Sequence, residues 1–73
     1  MDKSAFGNKL REMRTERGMT KRFVSQKTGI SYSGICQFEY GLKYPNDQNK
    51  IKLAKFFGTT VGKLFFDEEN HET

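Results

Sequence analysis

Residues 20–41 read TKRFVSQKTGISYSGICQFEYG, and this stretch decides the fold. At its centre Gly29 stands two residues before Ser31, with apolar side chains at helical spacing on both sides. Glycine often ends a helix because it adopts left-handed backbone angles, and serine often begins one because its hydroxyl accepts a hydrogen bond from a free amide. The stretch therefore predicts two short helices, over residues 20–28 and 32 to about 40, joined by a tight turn.

Helical spacing outside this stretch predicts three further helices. The first has its N-cap at Ser4 and ends after Arg17, the fourth runs from about Asp47 or Gln48 to Phe57, and the fifth from Val61 to about Phe66. The side chains expected to point inward from the first and fourth are Phe6, Leu10, Met13, Ile51, Ala54 and Phe57, with Leu53 beside them. No segment between turn signals alternates apolar and polar residues, so strands are not expected. The predicted fold is an all-α domain of five short helices.

The chain is basic, but unevenly so. Its 73 residues include 13 Lys and Arg against 9 Asp and Glu, a net charge of +4. Residues 67–73 hold four of the acids and no base, so residues 1–66 carry thirteen bases against five acids, or +8. We expect residues 1–66 to form the domain and residues 67–73 to be an acidic, flexible tail. A domain this basic favours a polyanionic partner, either nucleic acid or an anionic membrane surface.

The inventory of reactive side chains excludes several classes of protein. The chain has one cysteine, Cys36, and one histidine, His71, which excludes a disulfide framework and a zinc site built from protein ligands. Only scattered carboxylates remain for catalysis, so an enzyme is not expected, nor a metal, cofactor or small-molecule ligand. No apolar run approaches the ~18 residues of a membrane span, and no signal peptide opens the chain. We therefore expect a cytoplasmic protein without a membrane partner.

Residues 6–66 resemble the DNA-binding domain of the Cro and phage-repressor helix-turn-helix family, often called XRE-like. The matching residues are Leu10-Arg11-Glu12-Met13-Arg14, Arg17-Gly18-Met19-Thr20, Gly29-Ile30-Ser31, Ile35, Phe38-Glu39-Tyr40-Gly41, Pro45, Leu53-Ala54, Phe57-Gly58, Val61 and Leu64. The resemblance implies a compact five-helix repressor-type domain whose third helix enters the major groove of double-stranded DNA. The chain departs from the family pattern at Phe23, Cys36 and Lys50.

The resemblance places Tyr32, Ser33 and Gln37 where the family presents side chains to DNA bases. Helical spacing agrees, since Ile35 and Phe38 take the opposite side of the same helix. The amide of Gln37 can donate to and accept from the edge of an adenine, and Tyr32 can pack on a thymine methyl group or bond a phosphate. The alternative is that all three are ordinary exposed polar residues.

The resemblance also implies a set of contacts to the DNA backbone. Thr20 and Lys21 stand at the start of the second helix, where free amides, the helix dipole and the ammonium group all favour an anion. Further candidates are Arg22, Lys27, Lys43, Tyr44 and Asn46. For any one lysine, the alternative is a solvated charge that contributes only solubility.

Two more assignments follow from the family. Arg14 and Glu39 occupy positions that form a partly buried ion pair in relatives, which makes Glu39 structural. The C-terminal helices are the usual route to a dimer, and a twofold dimer sets two recognition helices ~34 Å apart. The candidate dimer-interface residues are Phe56, Val61, Leu64, Phe65 and Phe66.

These expectations combine into a sequence-specific DNA-binding transcriptional regulator. The favoured form is a repressor that binds a pseudo-palindromic operator as a homodimer, with regulation through its concentration, its degradation or a protein partner. The alternative is a protein-binding helical module of the antitoxin or antirepressor type, which acts through Phe23 and the C-terminal phenylalanines.

Overall fold

The protein is described by a computed structural model over residues 2–65, which form five helices and no strand. The helices are α1 (Lys3–Glu16), α2 (Lys21–Thr28), α3 (Tyr32–Glu39), α4 (Asp47–Phe57) and α5 (Val61–Phe65). The predicted all-α, five-helix class is confirmed. Phe66 and the acidic residues 67–73, together with Met1, lie outside the described residues.

Each helix begins at a polar cap, because the first amides of a helix have no partner within it. Side-chain oxygens accept a hydrogen bond from the amide three residues on at Thr20 (3.0 Å), Ser31 (3.0 Å), Asn46 (2.9 Å) and Thr60 (3.1 Å). For α1 the predicted cap was wrong. Asp2, not Ser4, caps this helix with a 2.7 Å hydrogen bond from the amide of Ala5, and Ser4 already lies in the first turn. A carboxylate also suits the positive end of the helix dipole.

All five helices contribute to one apolar core. Its buried side chains are Phe6, Leu10, Val24, Ile30, Ile35, Phe38, Leu53, Ala54, Phe57, Leu64 and Phe65. Phe6 and Phe65 stack at its centre, with ring centroids 4.5 Å apart. This contact joins the first helix to the last, and it closes the domain.

The inward stripe of α4 differs from the prediction. Ile51 is 49% exposed, whereas Leu53 is fully buried. Lys50, Leu53, Ala54 and Phe57 follow the i, i+3, i+4, i+7 spacing of a buried face, which turns Ile51 outward. The stem of Lys50 therefore lies where an apolar side chain was expected, and its Nζ lies 4.9 Å from the ring centroid of Tyr44.

The α5 residues also differ from expectation. Leu64 and Phe65 were candidates for a dimer interface, but they are 1% and 0% exposed within the single chain. The stacking of Phe65 on Phe6 occupies the ring, so neither residue offers apolar surface to a second copy. Phe56 and Val61 are partly buried at the edge of the core.

Helices α1 and α3 cross at Gly7, where there is no room for a side chain. A Cβ placed on Gly7 would overlap the backbone carbonyl oxygen of Phe38 and lie 2.9 Å from that of Glu39. Glycine inside a helix is costly relative to alanine, so its presence here reflects close packing of the two backbones.

An ion pair between Arg14 and Glu39 joins the same two helices, about two helical turns after Gly7 along α1. The guanidinium of Arg14 donates from Nε to Oε2 of Glu39 (2.6 Å) and from Nη2 to Oε1 (3.0 Å). Its third donor, Nη1, binds the carbonyl oxygen of Met19 at 2.8 Å. Glu39 is 4% exposed, and its hydrogen bonds to Arg14 raise the pKa of that guanidinium. This geometry gives Glu39 a structural role.

The substitution Gly7→Ala tests the helix crossing. We expect it to lower the free energy of unfolding by about 2 kcal/mol, because overpacking against backbone atoms outweighs the better helix propensity of alanine. Urea denaturation followed by circular dichroism measures the change. Gly34→Ala is the matched control, since its added methyl meets only side-chain atoms, at 3.1 and 3.2 Å. Equal stability of Gly7→Ala and the parent chain would contradict the close crossing.

A double-mutant cycle tests the ion pair. Arg14→Met or Glu39→Leu alone leaves a buried charge without its partner, and we expect each to cost about 3–5 kcal/mol in urea denaturation. The double variant removes both charges, so we expect it to lose much less than the sum of the two single losses. Additive losses would mean that the pair contributes no coupling.

Candidate nucleic-acid interface

The turn between α2 and α3 is built around one glycine. Gly29 has a φ of +81°, in the left-handed region that disfavours other residues, and its amide caps α2 by donating to the carbonyl oxygen of Ser25. Ser31 then adopts extended angles and caps α3. Residues 29–31 thus connect α2 to α3 in a tight turn, as the sequence predicts.

Side-chain hydrogen bonds of Ser25 and Thr28 hold this turn. The hydroxyl of Ser25 donates to the carbonyl oxygen of Ile30 (2.5 Å), and that of Thr28 donates to the carbonyl oxygen of Val24 (2.7 Å). The Thr28 hydroxyl also accepts from the amide of Ile30 at 3.2 Å. With Val24, Ile30 and Ile35 all buried, the two helices form one rigid unit.

The outward face of α3 carries no charge. Tyr32 and Ser33 are exposed, and Gln37 is half-buried beside Cys36. The helix contains no Lys or Arg, and its only acid, Glu39, is buried against Arg14. This face therefore offers hydroxyl and amide groups, the chemistry that reads base edges.

The predicted backbone-binding residues of α2 lie beside this face. Thr20, Lys21, Arg22 and Tyr32 line one open cleft together with Arg14 and Met19. The guanidinium of Arg22 lies 5.5 Å from the ring centroid of Tyr32, within the range of a cation–π contact. The structure thus brings the start of α2 and the start of α3 together in one cationic, partly aromatic concavity.

Lys43 is held close to Gln37 by the way α3 ends. Gly41 has a φ of +74°, and the amides of Leu42 and Lys43 donate to the carbonyl oxygen of Gln37 at 2.9 and 3.3 Å. The Lys43 side chain is exposed next to this end of the helix. Asn46 is exposed as well, but its side-chain oxygen caps α4.

Tyr44 was expected to contact the DNA backbone, but its side chain does not stand free in the structure. Its ring is half-buried and contacts Phe6 and Phe65, with centroids 5.7 and 5.8 Å away. Burial raises the pKa of its hydroxyl group. The ring therefore belongs to the edge of the core.

The sequence pattern predicts no DNA contact for Tyr40, but in the structure its side chain lies beside Lys21. Its side chain is 65% exposed, and its ring centroid lies 5.3 Å from Nζ of Lys21. Tyr40 thus holds the Lys21 ammonium near the end of α3 in the way that Tyr32 holds Arg22 near its start. Its exposure follows from helical spacing, since Phe38 and Glu39 take the inward positions.

The described residues provide neither a metal site nor a membrane span. Within residues 2–65, no group of three or more His, Cys, Asp or Glu side chains lies close enough to hold a metal ion. None of the described helices is long and apolar enough to cross a membrane. His71 lies outside the described residues.

Comparisons with known proteins agree with this geometry. A family model described as helix-turn-helix matches residues 10–64. The HTH-type transcriptional activator BcrR of Enterococcus faecalis is 31% identical over 64 residues, which are 88% of this chain and 31% of the activator. The cryptic phage CTXphi transcriptional repressor RstR of Vibrio cholerae is 30% identical over 66 residues, 90% of this chain and 60% of the repressor. No solved structure matches the chain.

A third relative is spanned almost completely. The uncharacterized HTH-type transcriptional regulator MJ0272 of Methanocaldococcus jannaschii is 32% identical over 63 residues, 86% of this chain and 96% of the relative. By contrast, the chain spans less than two thirds of the activator and of the repressor. The relatives are named as regulators of transcription, which confirms the expectation that the protein is not an enzyme. On the match over residues 10–64 and the rigid α2–α3 unit, the chain belongs to the XRE-type helix-turn-helix family of DNA-binding transcriptional regulators, the family of Cro and the phage repressors.

Proposed function

We propose that the protein binds a pseudo-palindromic DNA operator as a homodimer and represses transcription by excluding RNA polymerase. The observation that supports this best is the uncharged outward face of α3, which is flanked by the basic side chains of α2 and by Lys43. Among the relatives one is named an activator and another a repressor. Repression is proposed because steric exclusion needs only a bound domain.

The division of charge supports sequence-specific binding. Contacts between Lys or Arg side chains and phosphates strengthen binding without reading sequence. Neutral hydrogen-bonding side chains, by contrast, discriminate between the edges of the DNA bases. We propose Thr20, Lys21 and Arg22 for the first task, and Tyr32, Ser33 and Gln37 for the second. We propose that α3 lies in the major groove with the start of α2 against the adjoining phosphates.

A dimer places two copies of α3 on one face of the duplex. In the proposed twofold arrangement the copies meet through Phe56 and Val61, the candidates at the edge of the core that keep some exposure, with Phe66 beyond the described residues. We further propose that residues 1–66 are the DNA-binding domain, that residues 67–73 are an acidic tail, and that the protein acts in the cytoplasm.

Selection from a pool of random duplexes tests the proposal directly. We expect enrichment of a site with two inverted half-sites whose centres lie about one helical turn apart. Sedimentation of the protein with the selected duplex then gives two chains per duplex. A lack of enrichment at low salt would refute sequence-specific binding, and an enriched single half-site bound by one chain would refute the dimer.

Gln37→Ala tests base reading. The loss of the amide removes a pair of hydrogen bonds to one base, so we expect the preference at one position of each half-site to relax by about 1–3 kcal/mol. Measuring the affinity for the selected duplex and for its single-base variants checks this. The same loss of affinity for every sequence would instead place Gln37 against the backbone.

Lys21→Ala tests backbone binding. We expect binding to all duplexes to weaken by a similar factor. The slope of log affinity against log salt concentration should also become shallower by about one, the change expected for the loss of one phosphate contact. Lys52→Ala is the matched control, because Lys52 is an exposed lysine on α4. A change in base preference with Lys21→Ala, or an equal effect of Lys52→Ala, would contradict the assignment.

A further inference from the structure

A second concave surface lies next to the start of α2. It is a groove of about 340 Å³, lined by Arg17, Gly18, Met19, Thr20 and Phe23. Phe23 is one of the positions where the chain departs from the family pattern, and its side chain is 39% exposed. The DNA-binding role proposed for α2 makes no use of this aromatic ring.

The apolar wall of the groove continues onto α4. The ring centroids of Phe23 and Phe56 are 6.3 Å apart, and Phe56 lies 4.9 Å from Phe57. Met19 lines the groove as well and is partly buried against the core. The apolar part of the groove is therefore formed by Phe23 and Met19, and Phe23 packs against α4 through Phe56.

The border of this surface is cationic. Nζ of Lys27 lies 5.6 Å from the ring centroid of Phe23, and the guanidinium of Arg17 lies 5.1 Å from that of Phe57. Residues 17–38 contain no Asp or Glu, and the only acid of α4 is Asp47, at its first residue. An exposed aromatic ring with basic side chains at its border complements a ligand with apolar and acidic groups side by side.

We propose that this groove binds an acidic amphipathic segment of another protein. A bulky apolar side chain of the segment contacts Phe23 and Met19, and its carboxylates lie beside Arg17 and Lys27. Duplex DNA complements only the charges, because its phosphates offer nothing to the aromatic rings. A second copy of this chain docked on Phe23 itself would bring Arg17 and Lys27 of both copies together, which disfavours a twofold contact at Phe23.

Occupation of the groove has a consequence for DNA binding, and this consequence rests on the proposed function. Thr20 and Met19 line both the groove and the cleft formed with Lys21 and Arg22. A segment seated against Phe23 therefore overlaps the place proposed for the DNA backbone. The partner would then act as an inhibitor that releases the operator.

A displayed library of random dodecapeptides, selected on the full chain, tests the groove. We expect enrichment of peptides with Asp or Glu next to Phe, Trp, Leu or Ile. Phe23→Ser should weaken an enriched synthetic peptide at least about tenfold, and Lys27→Gln should weaken it with a shallower salt dependence. Ile51→Ser is the matched control, since Ile51 is a 49% exposed apolar residue that does not line the groove.

Several results would overturn the proposal. No enrichment, enrichment of basic peptides, or equal binding to Phe23→Ser and the parent chain would each refute the groove as the site. A change of oligomeric state with Phe23→Ser would assign the surface to a second copy instead. Simultaneous binding of peptide and saturating duplex would refute the inhibitory role.

The failure of this inference is distinguishable from failure of the proposed function. Circular dichroism verifies that Phe23→Ser is folded, and Lys27→Gln provides an independent variant if it is not. We expect Phe23→Ser to bind the selected duplex as the parent chain does. A chain that binds peptides but no duplex would contradict the proposed function while supporting the groove.

Discussion

The arrangement of the helices depends on the buried carboxylate of Glu39. A carboxylate that is 4% exposed is stable only with its charge compensated, and here the guanidinium of Arg14 does so with two hydrogen bonds. Arg11 adds a hydrogen bond to the Glu39 carbonyl oxygen at 3.1 Å, and Gly7 lets the two backbones meet. Because Arg14 also binds the Met19 carbonyl oxygen, one side chain fixes α1, the end of α3 and the approach to α2.

In this arrangement the outward side chains of α3 are not needed to hold the helix in place. Ile35, Phe38 and Glu39 hold the helix from within, and the hydrogen bonds of the preceding turn come from Ser25 and Thr28. Substitutions at Ser33 or Gln37 therefore change the groups offered to DNA at little cost in folding. Tyr32 and Tyr40 differ, because their rings contact Arg22 and Lys21 and so join both ends of α3 to the start of α2.

The sequence predicts those features whose cause is local. The cap at Thr20, the left-handed Gly29 and the cap at Ser31 follow from the chemistry of single residues, and helical spacing separates Ile35 from Gln37. The cap predicted for α1 was wrong because Asp2 and Ser4 are both good cap residues, and the chemistry of single residues does not choose between them. The burial of Phe65 and the half-burial of Tyr44 depend on how five helices close around Phe6, a tertiary property that spacing along one helix does not contain. For the same reason, the exposed groups at the candidate site were predictable, but the cleft that gathers Thr20, Arg22 and Tyr32 was not.

If DNA and a protein partner share a surface on this small domain, direct competition between them is enough to regulate DNA binding. Allostery requires two conformations with different affinities, and a unit locked by Glu39, Gly7 and the turn hydrogen bonds is poorly suited to a second one. Overlap at Thr20 requires no such change, because occupation of the groove by one ligand excludes the other from the start of α2. In this scheme the exposed ring of Phe23 distinguishes the two ligands. The ring provides apolar contact only to a protein partner, whereas the basic side chains around it attract both the partner and DNA.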